Sequence, residues 1–115
     1  MASLIPEQWE FLQDLAQLIV HIDKVGLVAS SGEAWRTPEM QQIYIRSGRS
    51  WTSTSRHLSR CAIDLNLFNK DLTLCTDRAI VDTLGAFWES LDHRNVHGLA
   101  RGPDGEDTAH FERKV

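Results

Sequence analysis

Eleven consecutive residues, Ser55-Arg56-His57-Leu58-Ser59-Arg60-Cys61-Ala62-Ile63-Asp64-Leu65, bring together a hydroxyl, an imidazole and a carboxylate where a polar loop runs into an apolar, alternating stretch. A second polar group follows near the C-terminus, Asp107-Thr108-Ala109-His110-Phe111-Glu112. His57, Asp64 and His110 together would make a three-ligand set for a divalent metal that leaves one coordination position open, the arrangement that separates catalytic zinc sites from closed structural ones. Two neutral imidazoles and one carboxylate leave bound zinc with a net charge of about +1, enough to acidify a bound water and polarise a carbonyl.

His57 and Asp64 are seven positions apart. Odd spacing puts two residues on opposite faces of a straight strand, so His57 must lie in the loop or a turn must intervene near Ser59-Arg60. Asp107, three residues before His110, can serve as a general base toward the attacking water without occupying the metal. It is equally one more acid in the run Asp104, Glu106, Asp107. Glu112 can orient a ligand from behind. His93 and His97 form a competing pair at helical spacing, but Gly98 follows at once and the helix before them ends near Leu91-Asp92.

The surrounding elements follow from periodicity. Pro6 opens a first helix with Leu12, Leu15, Ala16, Ile19 and Ile22 as its apolar face, and Gly26 ends it as a left-handed cap. Leu27 to Ala29 reads as a short strand. Thr37 caps a second helix starting at Pro38, carrying Met40, Tyr44 and Ile45 inward and stopping near Ser47-Gly48. Residues 46–55 are a loop, suited to facing substrate or to plain connection. Ala62 to Phe68 alternates, placing Asp64 opposite Ile63, Leu65 and Leu67. Asn69-Lys70-Asp71 is turn chemistry and Leu72-Thr73-Leu74 a return strand. Thr76 or Asp77 caps a third helix with Ile80, Leu84, Phe87, Trp88 and Leu91 inward, Gly85 marking close packing. His93 to Glu106 is polar and Gly-rich, with Arg101-Gly102-Pro103-Asp104-Gly105 reading as turns, and Thr108 to Phe111 reads as a short final strand. This order predicts an α+β fold: a small antiparallel sheet, about three helices, and the zinc site at the sheet.

The chain of 115 residues reads as a single domain, residues 1–115, with 42% apolar and 24% charged residues. A net charge of −4 argues against nucleic-acid binding, although Arg46, Arg49, Arg56 and Arg60 gather locally, to solvate a loop or steer an anionic substrate. Cys61 and Cys75 fit free buried thiols or one bridge across a hairpin. No signal-peptide pattern or membrane-length apolar run is present, which leads us to expect a monomer without stable membrane insertion, made in the cytoplasm.

Ser55-x-His57-x-x-x-x-Ala62-x-Asp64-Leu65 followed by Asp107-x-x-His110-Phe111-Glu112 resembles the zinc D-alanyl-D-alanine carboxypeptidase and L-alanyl-D-glutamate endopeptidase family, which includes phage endolysins. That family's pattern is S-x-H-x-x-G-x-A-x-D with a later E/D-x-x-H. Trp35-Arg36-Thr37-Pro38-Glu39-x-Gln41-Gln42 resembles its Arg-Thr…Gln element, and Gly48-Arg49-Ser50 the loop ahead of the histidine. The resemblance implies Zn2+ on His57, Asp64 and His110, with Asp107 as general base. It implies that Arg36 stabilises the oxyanion or holds a substrate carboxylate, and that Ser55 gives a supporting hydrogen bond. It departs at one point: Arg60 stands where the family has glycine, which puts the local turn in question. The expected activity is hydrolysis of a peptidoglycan stem peptide at L-Ala-D-Glu or D-Ala-D-Ala, in a phage or prophage lysis enzyme acting on the wall after release. The rival expectation is a non-catalytic peptidoglycan-binding or structural module of the same fold.

Overall fold

The computed structural model describes residues 3–48, 59–101 and 107–115, of which residues 100, 101, 107 and 108 are described by backbone alone. The elements are α1 (Ile5–Lys24), β1 (Val28–Ser31), α2 (Pro38–Arg46), β2 (Ala62–Phe68), α3 (Arg78–Leu91), β3 (Asn95–Arg101) and β4 (Asp107–Arg113). The four strands form one antiparallel sheet in the order β1-β2-β4-β3. The α+β expectation holds.

Alternation along β2 and β4 decides the faces. Ile63, Leu65 and Leu67 of β2 join Ala109 and Phe111 of β4 in a core completed by Phe11, Leu15, Leu18 and Ile22 of α1 and Leu84 and Trp88 of α3. Trp88 is fully buried. Its indole N–H donates to the carbonyls of Val96 and Glu112, both at 3.1 Å, which satisfies the polar atom that an aromatic of this size brings inside. Phe11 and Phe111 meet its ring edge-on at 5.5 and 6.0 Å.

The caps are chemical. Leu27 N–H donates to Ile22 C=O beyond Gly26, whose φ of 85° closes α1 as a Schellman turn. The Thr37 hydroxyl accepts from Met40 N–H and the Asp77 carboxylate from Ala79 N–H, each filling an orphan donor of a helix start. Gly85 is required by packing: a Cβ there would sit 2.1 Å from the His97 ring.

Four expectations need correction. The buried stripe of α1 is Phe11, Leu15, Leu18 and Ile22, while Leu12 and Ile19 are each 52% exposed. Met40 of α2 is exposed as well, and Gln41 is the buried residue of that helix. Residues 72–74 make no strand but a single bridge, Phe68 to Leu74. The sequence predicts no strand in the polar stretch after His93, yet Asn95–Arg101 forms β3, paired along its length with β4 from Asn95–Arg113 to Arg101–Asp107; residues 102–105 of the expected turns lie outside the described residues. Cys61 and Cys75 are free and buried.

A buried cation ties the layers together. Arg113 is 1% exposed. It donates to Asn95 at 3.0 Å and Glu10 at 2.8 Å and pairs with Asp14, so β4 is bonded to β3 and to α1. Arg94 adds bonds to Glu10 and Asp92, and its side-chain and backbone hydrogen bonds hold the Asp92 carboxyl well below its usual range.

Candidate functional site

The face of the sheet opposite the core carries the polar residues. In β2 and β4, Asp64 and His110 are direct register partners, and so are Ala62 and Glu112. Cross-strand partners hold their Cβ atoms close, so two residues 46 apart in sequence become neighbours without any loop having to position them. The His110 Nδ1 lies 2.8 Å from Asp64 Oδ1, and its Nε2 lies 2.9 Å from Glu112 Oε1. Both ring nitrogens are thus engaged by carboxylates.

This clamp controls the imidazole. Burial opposes its charging, but the hydrogen bonds and charges of Asp64 and Glu112 more than offset that, and its pKa is pushed up to about 9. The charged ring is therefore the form that Asp64 and Glu112 favour at neutral pH.

The segment after β1 supports the site from the sheet edge. Gly32 N–H donates to Asp64 C=O at 2.7 Å, and Asp64 N–H donates to Glu33 C=O at 2.8 Å. The Glu33 carboxylate accepts from the Tyr44 hydroxyl at 2.6 Å and is bound by the Arg36 guanidinium, which also donates to Gln41 and lies 4.6 Å over the Tyr44 ring. Arg36 is 9% exposed and Gln41 1%. The Arg-Thr…Gln element is therefore an internally bonded unit joined through Arg36 to Glu33, whose backbone carbonyl accepts from Asp64 N–H. Glu33 did not stand out in the sequence and Tyr44 was read only as an inward residue of the second helix; a carboxylate three residues before the arginine was the available signal.

The other expected site residues fall differently. His57 and Ser55 lie outside the described residues. Asp107 is the first residue of β4, in register with Arg101. His93 is 90% exposed at its side chain, and His97 is 2.9 Å from Glu89, so the pair at helical spacing is split between a turn and β3. Among the described residues no three His, Cys, Asp or Glu side chains are grouped to hold a metal. Asp64 and His110 nonetheless fit zinc in donor type, one oxygen and one nitrogen meeting at 2.8 Å, with Glu112 on the second ring nitrogen as the outer carboxylate that metal-binding histidines use.

The turn entering β2 is unusual. Arg60 has φ 64°, a left-handed backbone at a residue with a side chain. Its guanidinium carbon lies 4.8 Å over the ring of Trp35, which is 52% exposed. The chain thus keeps the backbone shape that glycine would supply while placing an arginine there. An apolar cavity of about 270 Å3 lies elsewhere, lined by residues including Leu65, Leu67, Leu74, Val81, Leu99 and Ala109, and shares no residue with the polar cluster.

No protein-family profile and no curated protein sequence matches the chain. Among solved structures, the fold is similar to that of the L-Ala D-Glu endopeptidase ChiX of Serratia marcescens, with a TM-score of 0.60, 16% sequence identity, and coverage of 95% of this chain and 79% of that one. At that identity the likeness establishes the fold. Among the described residues no helix is long and apolar enough to cross a membrane.

Proposed function

We propose that this chain is a zinc-dependent peptidase that hydrolyses the L-Ala-D-Glu bond of the peptidoglycan stem peptide. The observation that carries the reading is the face-to-face pair Asp64 and His110, brought from two separate motifs onto adjacent central strands. It stands on a fold like that of an L-Ala D-Glu endopeptidase. His57, Asp64 and His110 would hold the zinc, which when bound supplies Lewis acidity toward the scissile carbonyl and makes water a competent nucleophile near neutral pH.

The chain's own residues do the rest. Glu112 fixes the ring orientation of His110 through Nε2. Asp107 takes the proton of the attacking water and returns it to the leaving amine. Arg36, braced by Glu33, Gln41 and Tyr44, contributes positive potential beside the Asp64 strand as negative charge develops on the carbonyl oxygen.

Purified peptidoglycan digested with zinc-loaded protein and analysed by mass spectrometry tests this directly. New amino termini at D-Glu are expected; release of D-alanine would instead make the protein a carboxypeptidase. His57→Ala and His110→Ala should lose zinc, while Asp107→Asn keeps it and loses ~10²–10⁴-fold in rate. Intact zinc with no cleavage of any stem peptide would replace this reading with the non-catalytic module.

A further inference from the structure

The left-handed arginine is the feature that the reaction scheme does not use. Outside glycine, asparagine and aspartate, this backbone conformation is uncommon and costs roughly 1–2 kcal/mol, and such strain persists only where the surroundings over-determine it. Here they do. Ser59 C=O accepts from the Gln8 side chain at 3.0 Å, and Cys61 C=O accepts from Arg113 N–H at 2.9 Å, pinning the backbone on both sides of Arg60. The pinned turn sets the guanidinium over Trp35. A guanidinium held over an indole face by cation–π attraction keeps N–H donors with which it can bind a carboxylate, in bidentate fashion where the fork is free.

Among the described residues no carboxylate is paired with Arg60, which is exposed and lies over the Trp35 ring. Arg36, in contrast, is buried and bound to Glu33 and Gln41. An anionic group on a ligand thus meets an exposed, pre-oriented guanidinium at Arg60. Arg60 also stands two residues before Ala62, the register partner of Glu112, so its turn adjoins the strand that carries Asp64.

We infer that Arg60, carried on Trp35, is a specificity-determining residue that binds a carboxylate of the substrate, namely the free α-carboxylate of the γ-linked D-Glu beside the scissile bond. This rests on the stem-peptide reading above. The same chemistry is offered by the peptide's C-terminal carboxylate, which the test separates.

The experiment is calorimetric binding of three synthetic stem peptides to wild type, Arg60→Gly, Arg60→Lys and Trp35→Ala, alongside kcat and KM. The peptides carry both carboxylates free, the D-Glu α-carboxylate amidated, or the C-terminus amidated. Glycine suits a φ of 64°, so Arg60→Gly should melt no lower than wild type. It should bind the free peptide roughly 10- to 100-fold more weakly, the worth of one charge-assisted carboxylate contact. Amidation of D-Glu should weaken wild type by the same factor and leave Arg60→Gly unaffected; amidation of the C-terminus should matter to neither. Arg60→Lys and Trp35→Ala should fall between.

Equal affinity of wild type and Arg60→Gly for the free peptide, or no binding by wild type, overturns the inference. So does a loss at Arg60→Gly that is as large for the D-Glu-amidated peptide, and so does sensitivity to the C-terminal amide instead. Carboxylate-selective binding through Arg60 without hydrolysis would uphold this assignment while refuting the peptidase reading.

Discussion

Protonation of His110 should make the metal-free protein lose stability as pH rises toward 9. In the folded chain the imidazole stays charged up to about 9 because Asp64 and Glu112 accept from both its nitrogens. In the unfolded chain it loses its proton near 6.5. Between those values the folded state binds more protons, so the free energy of unfolding falls with pH. The stabilisation is fully present below about 6.5 and is gone above about 9, and the whole gap is worth on the order of 3 kcal/mol. No large discount for solvent applies, since the His110 side chain is 18% exposed. Urea unfolding of chelator-treated protein from pH 6 to 9.5 measures it, with His110→Gln as reference because it cannot titrate. Wild type should lose about 3 kcal/mol relative to the variant across that window. Saturating zinc should invert the trend, because binding must displace the His110 proton. Parallel profiles for the metal-free wild type and variant would show that the clamp does not hold the proton.

Arg113→Met should cost about 2–3 kcal/mol, less than the 3–5 of a wholly buried broken pair, because Glu10 is 46% exposed and can rehydrate; a melting temperature within a degree or two of wild type would refute a structural role for the buried cation. Gly85→Ala should be net destabilising by about 1 kcal/mol, with the clash against the His97 ring outweighing the gain in helix propensity. Adding His97→Ala should restore that loss, and additive urea midpoints would argue against the contact. Arg36→Lys keeps the charge but cannot serve Glu33 and Gln41 together, so both thermal stability and turnover should fall. An unchanged melting temperature would mean that this unit does not brace the Asp64 strand.

Legibility in the sequence followed the strength of the periodic signals. The alternation from Ala62 to Phe68 set Asp64 apart from the leucines, and the two motifs named the residue that faces it, so the Asp64–His110 pair was readable before any coordinates. The phase of α1 was not. Phe11, Leu12, Leu15, Leu18, Ile19 and Ile22 are apolar over more than one face, and only packing against α3 and the sheet selects among them. β3 was hidden because Gly98 and a sparse apolar pattern give little strand propensity; its pairing with β4 supplies what local sequence does not. Arg113 was invisible for a different reason. A lone arginine reads as surface, and its burial depends on Glu10 and Asp14, about a hundred positions earlier in the chain.

The strand order has a temporal consequence. β4 follows the other described elements in sequence yet lies between β2 and β3. Until the chain beyond Arg113 has left the ribosome, β2 lacks its inner neighbour, Asp64 has no imidazole opposite it, and Asp14 of α1 has no guanidinium to receive. A chain stopped before β4 can make α1, α3 and the β1–β2 pair, but β3 has no strand to join and the polar clamp is missing. Long-range closure of this kind makes folding slow relative to local contacts. It also makes competence all-or-none, because the strand that completes the core is the strand that brings His110.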